Sequence, residues 1–90
     1  MNRDNKNNNG QSNKYQMLDG KIIDASSNKE LIEKMRADSL NPGTNLRDYM
    51  LNVSESSYHY NGSNINIDTY DNFINDLIKH GFIKVVSMDN

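Results

Sequence analysis

The sequence predicts a small α+β domain in which three helices cover one face of a single sheet of about four strands, in the order β-β-α-α-β-α-β. Three observations lead there. Lys14–Leu18 and Lys21–Asp24 flank Asp19-Gly20, a favoured hairpin-turn pair. Three later stretches carry apolar residues at helical spacing behind capping residues. Two short β-rich segments, Ile65–Ile67 and Ile83–Val86, flank the last of these helices. Helices with one apolar face need a sheet to cover, and one sheet satisfies all three.

The chain opens with residues 1–13, which hold no apolar side chain after Met1 and are rich in Asn, Ser and Gly. Such a stretch cannot bury enough surface to offset its ordering entropy, so it reads as a disordered tail. Residues 14–90 form the domain, with a core that is marginal at this size. A homodimer that hides a further apolar face is therefore one expected state.

Ser27 caps the first helix, and Glu30 stands three positions on, as a capping box requires. Leu31, Ile32 and Met35 make its inner face, and Glu30 with Lys34 make an i,i+4 ion pair. Asn41-Pro42-Gly43 ends it. Thr44 caps a second helix with Leu46, Tyr49, Met50 and Val53 inward; it is expected to fray from Ser54 and to stop at Asn61-Gly62. Ile65 and Ile67 alternate with Asn64, Asn66 and Asp68 as in a short, half-buried strand.

Thr69 caps the third helix, where Tyr70, Phe73, Ile74, Leu77 and Ile78 form the clearest amphipathic row in the chain. Gly81 is its C-terminal cap, with Phe82 folding back onto it. Ile83–Val86 closes the sheet. The unit from Ile65 to Val86 is either a parallel crossover, which would be right-handed, or an antiparallel return.

Composition narrows the function classes. There is no cysteine, so disulfides and thiolate metal sites are excluded. No apolar run approaches membrane-spanning length and no signal peptide opens the chain, which points to the cytoplasm. Net charge is −2. Arg3 and Lys6 outweigh Asp4 in the tail, while Asp68, Asp71, Asp76 and Asp89 outweigh Lys79 and Lys84 at the other end. No Lys/Arg stripe exists to neutralise phosphates, which argues against nucleic acid as the partner.

The residues that carry chemistry elsewhere have plain readings here. His59 and His80 lack metal-ligand spacing, and Asp76 with His80, one turn apart, reads as a surface contact at a helix end. Ser54, Ser56 and Ser57 near His59 lack the oriented base that makes a nucleophile. Five glycines occupy the tail, turns and caps, so none builds a phosphate loop. No catalytic, cofactor or metal site is expected, and the chain does not read as an enzyme.

Two binding readings stand. The first is a non-catalytic protein-binding or regulatory module whose contact uses Tyr58, His59 and Tyr60 with Tyr49, because tyrosine is enriched at protein interfaces. Weighed against it is the plainer arrangement in which Tyr49 and Tyr60 close the core edge and only Tyr58 is free. The second is a helix-turn-helix DNA binder built from helices near 29–40 and 45–57, whose second helix offers base edges only Arg47, Asn45 and Asn52 against Asp48 and Glu55.

Met35-Arg36-Ala37-Asp38-Ser39, Tyr49-Met50, Asp68-Thr69, Phe73, Asp76-Leu77-Ile78 and Gly81-Phe82 together resemble a pattern in short uncharacterised proteins of bacteria, plasmids and phages, over residues 15–86. The resemblance implies a compact domain, often on mobile DNA, with no catalytic residues to transfer. By analogy with small acidic phage proteins it implies a host protein as partner.

Overall fold

The computed structural model describes residues 12–88. The expected tail therefore lies outside the described residues up to residue 11, and Asn13 already belongs to the first strand. The elements are β1 (Asn13–Met17), β2 (Ile22–Ala25), α1 (Asn28–Ala37), α2 (Leu46–Asn61), α3 (Tyr70–Lys79) and β3 (Ile83–Met88). The class is α+β as expected. The sheet has three strands, in the order β2-β1-β3, and β1 is antiparallel to both neighbours.

The hairpin forms, but through a three-residue loop. The Met17 N–H donates to the Lys21 carbonyl at 2.8 Å and the Gly20 N–H to the Met17 carbonyl at 2.9 Å, with Gly20 at φ 91°. The reason is register. A two-residue Asp19-Gly20 loop would set Tyr15 opposite Asp24, mixing core and solvent faces. The longer loop pairs Tyr15 with Ile23 and Asn13 with Ala25, so Tyr15, Ile23 and Ala25 are all buried on one face. On β3, Val85 and Ile83 pair with Tyr15 and Met17, and a register shift between Lys14 and Tyr15 leaves Val86 as a bulge. The other face carries Lys14, Gln16, Asp24 and Lys84, with an exposed Lys14–Asp24 ion pair at 2.9 Å.

Ile65–Ile67 is not a strand. Its alternation holds, since Ile65 is buried, Asn66 exposed and Ile67 half-buried. The backbone partners, however, come from helix side chains. Ser54 Oγ donates to the Ile65 carbonyl at 2.9 Å, and the Asp76 carboxylate accepts from the Asn66 N–H at 2.9 Å and from its side-chain amide at 2.8 Å. The segment is thus held by α2 and α3, away from the sheet. With no strand there, the crossover alternative lapses, and β3 returns antiparallel to β1.

The helix ends follow local chemistry. Ser27 Oγ accepts from the Glu30 N–H at 3.1 Å; the Glu30 carboxylate reaches back one residue further than a capping box, to the Ser26 N–H at 2.6 Å and its hydroxyl. Lys34 does not close the expected ion pair with Glu30. Its ammonium donates to the Asp24 carbonyl at 2.6 Å, tying α1 to β2.

Asn45, not Thr44, caps α2 by accepting from the Asp48 N–H at 2.9 Å, while the Thr44 hydroxyl bonds the Asp48 carboxylate. α2 does not fray at Ser54. It runs to Asn61 because its inner row continues in small residues, with Ser57 buried at 4% exposure and Ser54 bonded to the connector. α3 ends as expected: the Gly81 N–H bonds the Ile78 carbonyl and the Phe82 N–H the Leu77 carbonyl, a Schellman motif with Gly81 at φ 84°.

The core is shared by the inner sheet face and the three helices. Phe73, Leu31, Ile32, Ile74 and Leu77 are its fully buried large side chains, each worth about 1.5–3 kcal/mol of burial. α1 packs on β2, α2 and α3, and α3 packs on β3. Arg36 fastens the α1–α2 connection, donating through Nε to the Pro42 carbonyl at 2.9 Å and through Nη2 to the Gly43 carbonyl at 3.2 Å.

Candidate functional site

A groove of ≈330 Å³ opens beside α2. Its floor and one wall come from a single helical row, Tyr49, Val53, Ser56, Ser57 and Tyr60. The opposite wall is Phe82, placed by the Schellman turn after α3, and Leu18, placed by the β1–β2 loop. Ser39 and Asn41 of the α1–α2 connection close one end. Tyr60 and Phe82 meet edge-on, with ring centres 5.7 Å apart and planes at 60°. None of the ten lining residues carries a charge, in a chain where 24% of residues do.

The rim is apolar and open. Tyr60 is 71% exposed and Leu18 63%, whereas Tyr49 at the floor is 6% exposed. Burial, followed by the negative charge of Asp38, pushes the Tyr49 phenol up to about 12, so it stays a neutral hydrogen-bonding group at any physiological pH. Chemically, the groove can accept an apolar side chain and offer hydroxyl and amide partners to the backbone that carries it.

Of the four residues expected at a contact surface, the structure brings together two. Tyr49 and Tyr60 share the groove, eleven positions apart on one helix face. Tyr58 and His59 are exposed on other sides of α2, their rings edge-on at 6.1 Å. Sequence reasoning missed Leu18, Phe82 and Ser57. The fold-back of Phe82 after Gly81 was the one available signal, and it pointed to the core rather than to a groove.

The remaining polar groups are engaged or scattered. The Asp76 carboxyl is held below the ordinary Asp value, first by the Asn66 backbone N–H and further by the Asn66 side chain and the nearby Lys79 and His80. His80 is the C-cap of α3 and binds through its backbone to the Asp76 carbonyl. Among the described residues no group of three or more His, Asp or Glu is arranged to hold a metal ion, and no helix is long and apolar enough to cross a membrane.

A second cleft of ≈430 Å³ lies where α2 meets the start of α3, lined by Arg47, Met50, Ile67, Asp68, Thr69 and Tyr70. Its two charges are of opposite sign, and Arg47 reaches the Ile67 carbonyl only at 3.5 Å. The α1–α2 connection spans residues 38–45, longer than the three- or four-residue turn of a helix-turn-helix. No family model, no curated protein and no solved structure matches this chain.

Proposed function

We propose that this chain is a small protein-docking module that acts by binding rather than by reaction chemistry, and that the groove along α2 is its contact surface. The observation that carries the reading is an uncharged groove whose aromatic and aliphatic rim, Tyr60 and Leu18, stays exposed although the core beside it is filled. Interface centres are depleted in charge and enriched in aromatic residues, and their hot spots are apolar anchors seated in pockets. The geometry favours this over DNA reading. Lys21 is paired with Asp38, Lys34 is bonded to a strand carbonyl, and Arg36 is spent on the α1–α2 connection, so these cations are not gathered on α2.

A photo-crosslinking residue placed at Ser56, in the groove, should capture a polypeptide; the same residue at Lys29, on the exposed side of α1, should not. Equal capture from both positions, or none from Ser56, sinks the assignment. Tyr60→Ala should reduce capture at Ser56 while costing under about 1 kcal/mol of stability, because that ring is mostly exposed.

A further inference from the structure

The two outer edges of the sheet differ. In an antiparallel pair, residues that exchange backbone hydrogen bonds alternate with residues whose N–H and C=O turn the other way. The Met17 N–H bonds the Lys21 carbonyl at 2.8 Å, so along β1 and β2 the bonded pairs are Tyr15–Ile23 and Asn13–Ala25. Ile22 and Asp24 therefore turn their backbone groups to the outer edge of β2. There the Lys34 ammonium takes the Asp24 carbonyl at 2.6 Å, which blunts that edge. On the other side of β1, Lys14 and Gln16 are left to bond Ser87 and Lys84 of β3. Ile83 and Val85 then turn their N–H and C=O outward, and no hydrogen bond reaches these groups among the described residues. Beside this open edge the Val85 and Val86 side chains are 38% and 50% exposed. An extended backbone is the partner whose alternating donors and acceptors match such a row.

We propose that the β3 edge docks, antiparallel, an extended segment of another protein that carries an acidic residue opposite Lys84 and an apolar residue on each side of it. Lys84 lies between Ile83 and Val85, so across such a partner it stands at a non-hydrogen-bonded position, where facing side chains come closest. It is exposed and opposes Gln16 on β1 and, unlike Lys14 and Lys21, it has no carboxylate partner. An acid opposite it is favoured and a second lysine disfavoured. The same charge selects against a second copy of this chain. The bulge at Val86 leaves Ile83 and Val85 as the outward pair, so two copies of β3 using both would set Ile83 against Val85 and Lys84 against Lys84. The residues flanking the acid fall opposite Ile83 and Val85, on the inner face of the sheet, where the exposed part of Val85 gives them apolar cover. This edge is separate from the groove on α2, and neither reading needs the other.

The probe is a capped pentapeptide, Thr-Val-Glu-Val-Thr, titrated to millimolar concentration into the full isotope-labelled chain. The amide signals of Ile83 and Val85 should shift, and their hydrogen exchange should slow. Thr-Val-Lys-Val-Thr should bind roughly threefold to tenfold more weakly. Lys84→Glu should reverse that order while leaving the melting temperature within a degree or two, since Lys84 is exposed. N-methylation of both valines in the Glu peptide removes the N–H groups aimed at β3 and should abolish binding, which separates strand pairing from charge attraction alone. No shift at millimolar peptide, shifts confined to other residues, a preference that Lys84→Glu fails to reverse, or undiminished binding of the N-methylated peptide overturns the proposal.

Discussion

Replacing Gly43 by alanine tests the link between the α1–α2 connection and the rest of the fold. Gly43 sits at φ 70°, and a Cβ built there would lie 2.8 Å from Asp48 Cβ, 3.0 Å from the Tyr49 N and 3.1 Å from the Asp48 carbonyl carbon. Two penalties add. The left-handed conformation costs a residue with a Cβ about 1–2 kcal/mol. The contacts are with the first turn of α2, largely backbone, which cannot swing aside as a side-chain tip would, so overpacking adds about 1–3 kcal/mol. A total of ~3 kcal/mol lowers the melting temperature of a domain this size by about 15 °C. Gly62→Ala is the internal control: its φ of 79° is just as unfavourable, but no atom lies within 4 Å of the added Cβ. It should cost only the conformational part, about 1–2 kcal/mol. Thermal and urea melts followed by helical circular dichroism measure both. If Gly43→Ala melts within a degree or two of Gly62→Ala, the contact between the connection and α2 yields freely, and the picture of a rigid connection is wrong.

Two further outcomes follow from the polar ties. Arg36→Ala should cost about 1–2 kcal/mol through its lost bonds to the Pro42 and Gly43 carbonyls. Arg36→Lys should recover only part of this, because one ammonium nitrogen replaces the two guanidinium nitrogens that reach the two carbonyls separately; urea midpoints at constant slope decide it. The Asp76 carboxyl is shifted downward, so its contribution is present at neutral pH and is lost as pH falls below the ordinary value of 3.8 through the lowered one. Asp76→Ala should cost at most about 1 kcal/mol at pH 7, through two hydrogen bonds from Asn66 that solvent screens, and should flatten the acid limb of a stability–pH curve. Glu30, lowered by the Ser26 N–H, keeps that limb from vanishing. An acid limb unchanged in Asp76→Ala would refute the assignment.

What the sequence disclosed divides by range. The Ser27 and Thr69 caps and the Gly81 turn are decided by atoms a few residues apart, and they stand where the residue types placed them. The shift from Thr44 to Asn45 is an error of one position between two good capping residues. Ile65–Ile67 shows the limit of alternation, which reports burial on one side and not who supplies the hydrogen bonds. Ser54 and Asp76, ten or more positions away, supply them and remove the need for a fourth strand. The stop of α2 at Asn61-Gly62 stands, with Gly62 left-handed at φ 79°; only the expected fraying from Ser54 fails, because the inner face continues in serine and periodicity counts only apolar residues. The groove was half legible. Tyr49 and Tyr60 lie on one helix, whereas Leu18 and Phe82 reach it from the adjoining ends of β1 and β3, one position beyond the Met17–Ile83 pair, a meeting that only the tertiary fold arranges.

The central strand β1 has two neighbours with unequal histories. β2 follows it after a short loop, so their zipper can close early and at small entropic expense. β3 pairs with it across roughly seventy residues, so the loop-closure entropy is met only once all three intervening helices exist to hold the ends together. Docking of β3 is thereby expected to follow the β1–β2 hairpin. Until it happens, the flank of β1 that will receive β3 is an unprotected strand edge, open to a neighbouring chain during synthesis.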